Sequence, residues 1–470
     1  MSIYGSAPHS GSFSNIPFEG DTWWHVVVGN YILSTGHWPT TDIYAFTIHG
    51  APWLAYEWVG EVVMAAASRV AGIEGLMWLL VIMSGVFVLL LYYYAYQRCR
   101  NAMAAFLACA ALLPVVSHFF TLRPQMLGYT FLILTLIAME RFRQGHDRAL
   151  WLLPGLFLIW VNTHSSIVFG ALAMVAYWAT GLRGFQFRFV RAEQWTPRQR
   201  LQLELITLLC LLASIITPYG SRLATYPMQM VLFGPENLMT NSEFFPLRLN
   251  TFTGSALLVL FLCFLAYVVL ARPVFRAETA ALFLFAGYEV LIHVRFVLLF
   301  VPIFTPFLAE AFNYFMPDRA LKREGYIFNA ALIFAALILI VEFFPPKQTI
   351  ERAIANNFPV KAADYIAGHD VPGPMFNELS WGGYLTWALT PRHQVFIDSR
   401  DIYDYAGVMP DYIKIADGGQ EAIYLLGKYS VRSCLISRDT RLASTLAASP
   451  DWREIFHGRV GAIFLKKGTR

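Results

Sequence analysis

Beyond residue 73 the chain is a series of apolar runs separated by short polar loops. Ten runs lie at 74–97, 102–120, 125–140, 149–162, 165–182, 204–217, 254–271, 278–293, 296–315 and 326–344. Most approach the roughly 20 residues that a helix needs to cross a bilayer. Two, 149–162 and 204–217, are short for a full span and fit best where a bundle interior is wet. Before them, 58–72 (WVGEVVMAAASRVAG) is amphipathic, the pattern of a helix lying in the membrane interface. After residue 345 the pattern changes. FPPKQ reads as a linker, and 350–470 shows short β-type runs at 374–377, 394–398, 431–436 and 461–466. Helical stretches at 359–367, 380–388, 419–428 and 440–448 alternate with them, which predicts an α/β layer. The expected fold is an α-helical polytopic membrane protein with about ten transmembrane helices over 74–344. A loop with interfacial helices (1–73) precedes the bundle, and a small soluble α/β domain (345–470) follows it.

Composition agrees with that pattern. The chain is 57% hydrophobic and 14% charged, against about 45–50% and 25% in soluble domains. A net charge of +4 gives no sign of a nucleic-acid partner. The arginines are more informative. Alternate loops carry Arg98 and Arg100; Arg141, Arg143 and Arg148; Arg183, Arg188, Arg191, Arg198 and Arg200; Arg272 and Arg276; then Arg319, Lys322 and Arg323. The intervening loops carry only Arg123, Arg222, Arg248 and Arg295. By the positive-inside rule the Arg-rich loops are cytoplasmic, so both 1–73 and the C-terminal domain are expected outside. The first twenty residues lack a basic segment followed by an apolar one, so no cleavable signal peptide is expected. Five cysteines without CxxC spacing give no disulfide framework or thiolate metal site. No HExxH or other compact ligand spacing occurs, which leaves metal dependence open.

The unusual polar residues all fall at the outer ends of the apolar runs. They are Arg123-Pro124-Gln125, Asn162-Thr163-His164-Ser165-Ser166, Thr217-Pro218-Tyr219-Gly220, Glu243 and His293-Val294-Arg295. With Asp21, His25, Asp42, Glu57 and Glu61 they are expected to line one outward-facing cavity, because ionisable groups near a membrane usually face a protein interior or water. Asp21 reads either as the N-cap of a helix over 22–33 or as a general base toward a hydroxyl. Asp42 reads as a loop-turn residue or a second acid, and Glu57 as a first-turn helix acid or a second acid. Arg123 and Arg295 read as interfacial anchors or as guanidinium clamps on phosphate oxygens. His25 and His164 are structural or substrate-facing. Trp23, Trp24, Trp38, Trp53 and Trp58 crowd the same loop, as an interfacial aromatic belt or a surface for stacking sugar rings or a lipid tail.

The run DTWWH…GHWPTTDIY…PW…EW over 21–58 resembles bacterial polytopic glycosyltransferases of the GT-C superfold, relatives of protein mannosyltransferases, the aminoarabinose transferase of lipid A and oligosaccharyltransferases. The nearer likeness is to a poorly characterised bacterial group in which R-P-Q, N-x-H, P-Y-G and E-x-x-P segments follow in order. Here these are Arg123–Gln125, Asn162–His164, Pro218–Gly220 and Glu243–Pro246. That group also ends in a soluble piece resembling Phe376–Glu378, Trp381–Leu385 and Phe396–Arg400. The resemblance implies transfer of a sugar from a polyprenyl-phosphate-linked donor to an extracytoplasmic glycan, lipid or protein, at the bacterial inner membrane. Asp21 matches the loop carboxylate and Asp42 or Glu57 a second acid. His25, Arg123, Gln125, Asn162, His164, Tyr219, Glu243 and Arg295 match the substrate-binding surroundings, with Arg123 and Arg295 toward the lipid phosphate. Two features depart from that pattern. The superfold places a membrane helix directly before the loop acid, where this sequence has only twenty residues without an apolar run, and relatives often carry Gly after the His of N-x-H. A lipid or glycan transporter and a non-catalytic assembly protein are the competing expectations. Paired repeats with broken helices, common in transporters, do not occur in the sequence.

Overall fold

The computed structural model describes residues 19–226, 242–316 and 326–468. Residues 1–18 and the basic positions Arg319, Lys322 and Arg323 lie outside the described residues. The chain is mainly helical. The elements up to residue 213 are α1 (Gly20–Thr35), α2 (Trp58–Cys99), α3 (Ala102–Val116), α4 (Gln125–Arg143), α5 (Leu153–Val161), α6 (Ile167–Thr180), β1 (Phe185–Phe187), β2 (Val190–Ala192) and α7 (Pro197–Ala213). Helices Phe252–Ala271, Ala277–Ile292, Val297–Phe315 and Tyr326–Glu342 follow, with β3 (Phe275–Arg276) between the first two. Local chemistry sets several boundaries. Asn101 caps α3 by accepting from the Met103 and Ala104 amides, Thr196 and Gln199 form a capping box on α7, and Gly36 ends α1 in the left-handed region that favours glycine.

Each of the ten apolar runs contains a helix, but the expectation of ten spans is not met. Among the described residues four helical segments are long and apolar enough to cross a membrane: Trp58–Cys99, Ala102–Phe119, Phe252–Ala271 and Val294–Phe315. A fifth arises if the bent pair Ile333–Glu342 and Lys347–Asn357 counts as one. The others fall short for physical reasons. Helices α5 and α6 have only 9 and 14 residues, and α4 carries Glu140, Arg141 and Arg143 in its last turn. The amphipathic segment and the first apolar run form one element, α2, broken at Ala71 and Gly72, where the backbone leaves helical geometry.

Several arginines of the basic loops are pinned in ion pairs. The Arg276 fork binds Glu140 at 2.9 Å, Arg98 binds Glu310 at 2.7 Å, and Arg143 binds Glu278 at 3.0 Å. They join helix ends at the edge of the apolar layer, opposite the ends that carry the candidate site.

The C-terminal domain holds a four-stranded sheet of order β4-β5-β7-β6, with β4 (Met375–Asn377) parallel to β5 (Ser433–Ile436). Strand β7 (Ala462–Lys466) is antiparallel to β5 and to β6 (Trp452–His457). Three of the four expected strands are present. The fourth, 394–398, leaves the sheet: Val395 bridges Ala45 of the first loop, with Val395 N–H donating to Tyr44 O at 3.1 Å and Phe46 N–H to Val395 O at 3.1 Å. Strand β6 was unexpected from the sequence.

This exchange shapes the hydrophobic core. Trp23, Trp24, Val28, Ile32, Tyr44, Ile48 and Trp53 form one apolar cluster with Phe358, Phe376, Tyr384, Leu385 and Phe396 of the C-terminal domain, and the bundle forms another. Trp23 is 1% exposed and meets Phe358 and Tyr384 edge-on at 5.7 and 5.3 Å. Trp23, Trp24 and Trp53 are therefore core residues rather than an interfacial belt; Trp38 alone of the five is exposed. Two glycines allow the close packing. A Cβ on Gly29 would lie 2.0 Å from the Glu61 carbonyl oxygen, and one on Gly383 would lie 2.0 Å from that of Gly20. Helix α1 is thus wedged between α2 and the Leu379–Leu389 helix. Gly29→Ala and Gly383→Ala are each expected to destabilise the protein by about 1–3 kcal/mol or more through overpacking. Thermal unfolding of the purified protein, with limited proteolysis as a second readout, checks this; unchanged melting and cleavage would show that the interface yields.

Candidate active site

The bundle's antiparallel helices bring one set of ends together beneath α1. The N-terminus of α2 supplies Glu57 and Glu61, the turn before α4 supplies Arg123, and the α5–α6 turn supplies Asn162 and His164. Glu243 precedes the Phe252–Ala271 helix, and Arg295 lies in a 3-10 turn, Val294–Phe296.

Arg123 is the hub. Its guanidinium pairs with Asp21 at 3.0 Å, with Glu243 at 3.0 Å and with Glu19. The Arg123 and Asp21 side chains are each 18% exposed, so the pair is open at one side. Asp21 does not cap a helix: α1 begins one residue earlier, after Glu19, and no side-chain cap bond forms. Instead Asp21 Oδ1 accepts from Trp24 Nε1 at 3.4 Å and from Ser399 Oγ. Ser399 belongs to the C-terminal domain, which thereby reaches into the site. So does Asp401, which accepts from the Tyr56 hydroxyl at 3.4 Å. Burial pushes the Asp401 carboxyl up to about 6, against the pull of the Arg295 charge, and burial raises Glu19 to about 7 despite Arg123.

A second layer lies deeper. His164 Nε2 faces Glu57 Oε1 at 3.4 Å, Glu57 Oε2 faces His25 Nε2 at 3.5 Å, and His25 Nδ1 faces Glu61 Oε1 at 3.4 Å. The Ser166 amide donates to His164 Nδ1 at 3.0 Å, so the ring proton of His164 resides on Nε2 and points at Glu57. Burial holds His25 and His164 below the usual imidazole range and raises Glu57. This row of groups is close to neutral and carries little free charge.

The remaining sequence candidates build the frame. The Asn162 amide accepts from Trp58 Nε1 at 2.7 Å and donates to Leu158 O and Ile216 O. Tyr219 donates its hydroxyl to Pro39 O at 2.8 Å and accepts from the Ala55 amide at 3.1 Å, stapling the first loop. Gln125 is buried at the first turn of α4. Arg295 lies over the Phe244 ring at 4.3 Å. Asp42 lies away from the open side: it is fully buried, its Oδ1 accepts from the Tyr44 and Ala45 amides at 3.0 and 2.9 Å, and its Oδ2 pairs with Arg400. Arg400 also binds Asp398 at 2.8 Å. The motif residues of the C-terminal domain are similarly occupied: Asn377 donates to Ile397 O at 2.8 Å and accepts from the Phe396 amide at 2.8 Å. Glu19, Tyr56 and Asp401 were not among the sequence candidates; their signal was adjacency, since each lies within two residues of a candidate or motif residue, whereas Ser399 lies inside the Phe396–Arg400 motif without having been given a role. Among the described residues no group of three or more His, Cys, Asp and Glu is placed to hold a metal ion.

An acid fixed on a guanidinium at the mouth of a helical bundle invites comparison with known folds. The chain overlays an archaeal oligosaccharyltransferase, AglB from Archaeoglobus fulgidus in complex with an inhibitory peptide and a dolichol-phosphate, with TM-score 0.55. The overlay covers 89% of this chain and 65% of that one, at 13% identity. The chain shares the fold of that protein over most of its length. The A. fulgidus enzyme in its apo form gives TM-score 0.52 over 91% of this chain and 67% of that one, at 13% identity. The form tethered with an acceptor peptide containing the NVT sequon gives 0.51 over 90% and 65%, at 14% identity. The chain thus spans about two thirds of the length of these GT-C structures. No protein-family model and no curated protein matches the sequence.

The first loop and the C-terminal domain are joined at Arg400. Removing one partner of a buried ion pair typically costs about 3–5 kcal/mol, because the other charge stays buried. Arg400→Leu strands both Asp42 and Asp398 and is expected to lower stability by that amount in thermal unfolding. A loss within experimental error would show that the two aspartates become neutral at no cost.

Proposed function

We propose that this chain is a membrane glycosyltransferase that moves a sugar from a polyprenyl-phosphate-linked donor to an acceptor glycan, lipid or protein on the extracytoplasmic side of a bacterial inner membrane. The observation that carries the reading is the half-open Asp21–Arg123 pair, a carboxylate and a guanidinium at 3.0 Å, in a GT-C fold. In this reading the oxygen of the acceptor attacks the anomeric carbon, the bond from that carbon to the phosphate oxygen breaks, and the electron pair leaves on the lipid phosphate. Asp21, held in place by Trp24 and Ser399, receives the acceptor proton. Arg123 and Arg295 take the charge that develops on phosphate, a task suited to a guanidinium fork. Glu243 aligns Arg123. His25, Glu57 and His164 serve as a neutral floor that orients the first layer, and Gln125, Asn162 and Tyr219 position the turns around it. Asp42 acts through Arg400 rather than as a second acid; Asp401 is nearer to that role. The proposed boundaries are the first loop over 1–73, the bundle over 74–344 and the extracytoplasmic domain over 345–470.

Asp21→Asn tests this reading. Loss of a general base costs about 10²–10⁴-fold in rate, so release of polyprenyl phosphate from the donor should fall by that factor while gel-filtration behaviour is unchanged. Equal turnover in the variant would remove Asp21 from the reaction, and no turnover by wild-type protein across a panel of polyprenyl-phosphate sugars would remove the reading itself. The rate should also fall below about pH 6, because Asp401 takes up a proton there. In Asp401→Asn that limb of the profile should disappear.

A further inference from the structure

The segment between α6 and α7 takes no part in the site. Strands β1 and β2 form a hairpin with a two-residue turn, Arg188–Phe189, in which Arg188 adopts a positive φ of 46°. Residues i and i+2 of a strand share a face, so Phe185 and Phe187 lie side by side, and Phe189 follows at the tip. All three are exposed, at 49%, 68% and 46%. The hairpin is nevertheless held firmly at its base. Strand β2 pairs with β3, and Phe275 N–H donates to Phe189 O at 2.7 Å. Trp195 is buried just beyond β2, donates to Tyr177 O at 2.9 Å, and carries Arg143 over its ring at 3.5 Å.

Charge selects the occupant of this aromatic face. Residues 183–200 contain five arginines and one acid, Glu193. Arg191 pairs with Glu193, and Arg200 with Glu204. Among the described residues Arg183, Arg188 and Arg198 have no carboxylate partner. The hairpin begins five residues after α6 ends, at the Arg-rich ends of the helices, and so at the depth where an apolar layer meets water. Aromatic rings at that depth enter the acyl boundary, while guanidinium groups stay with the headgroups.

We propose that the Phe185–Phe189 hairpin is a docking surface for anionic phospholipid of the leaflet on the Arg-rich side, with the three rings inserted among the acyl chains and Arg183, Arg188 and Arg198 on the phosphates. It is independent of the proposed transfer reaction. The test is native mass spectrometry of the full chain in micelles that contain equal phosphatidylglycerol and phosphatidylcholine. Wild-type protein should retain phosphatidylglycerol in excess. The triple variant Arg183→Gln, Arg188→Gln, Arg198→Gln should cut that excess by about fivefold for each arginine that contacts a phosphate. Phe185→Ser, Phe187→Ser, Phe189→Ser should lower retention of both lipids. These six side chains lie at the surface, so an unchanged elution profile is expected for both variants. An unchanged phosphatidylglycerol excess in the arginine variant overturns the proposal. A phenylalanine variant that keeps its lipid but turns a dimer into a monomer also overturns it, and gives the face to a second copy of the chain.

Discussion

A guanidinium withdrawn from water needs matching charge and hydrogen bonds on every side, and Arg400 shows how much structure that requirement organises. It is 3% exposed and lies between Asp42 and Asp398, both fully buried, with the Trp53 and Tyr44 rings 4.7 and 5.2 Å from its charge. Asp42 comes from the first loop and Asp398 from the C-terminal domain, so the ion pairs hold two distant parts of the chain in one register. That register sets Ser399 on Asp21 and Asp401 beside Tyr56. A small shift at Arg400 would therefore be felt at the mouth of the site.

The site itself is arranged by depth. At the surface, Arg123 balances three carboxylates and leaves a side open to solvent. Beneath it, imidazoles and carboxyls alternate in a row that burial keeps near neutral. A strongly charged outer layer thus sits above a neutral floor, and in the proposed transfer reaction that contrast confines the field to the open side of Arg123.

Hydropathy made the bundle legible. All ten apolar runs are helical, and the polar turns singled out at their ends do gather on one side, because antiparallel helices return each turn to the same face. Hydropathy did not set the number of spans, since length and paired charge decide that separately. Trp23, Trp24 and Trp53 were misread for a different reason: a Trp beside a membrane and a Trp inside a soluble core have the same sequence signature, and only the partner distinguishes them. The partner of Trp23 lies beyond residue 357. Strand 394–398 has genuine β character, but its alternation says nothing of which edge it will join, and it joined Ala45. Ser399 and Asp401 were missed because their roles depend on that docking. Charged, exposed positions in β6, WREIFH, hid its alternation.

The pairing of the first loop with the end of the chain also has a meaning in time. Thr47 and Phe396 are 349 residues apart, and Asp21 and Ser399 are 378 apart. At about 5–20 residues per second, synthesis of that interval takes roughly 20–75 s. Throughout it, Trp23 and its neighbours have no core to enter. A loop made early is thus among the last parts of the chain to find its place, because its partners are made 349 to 378 residues later.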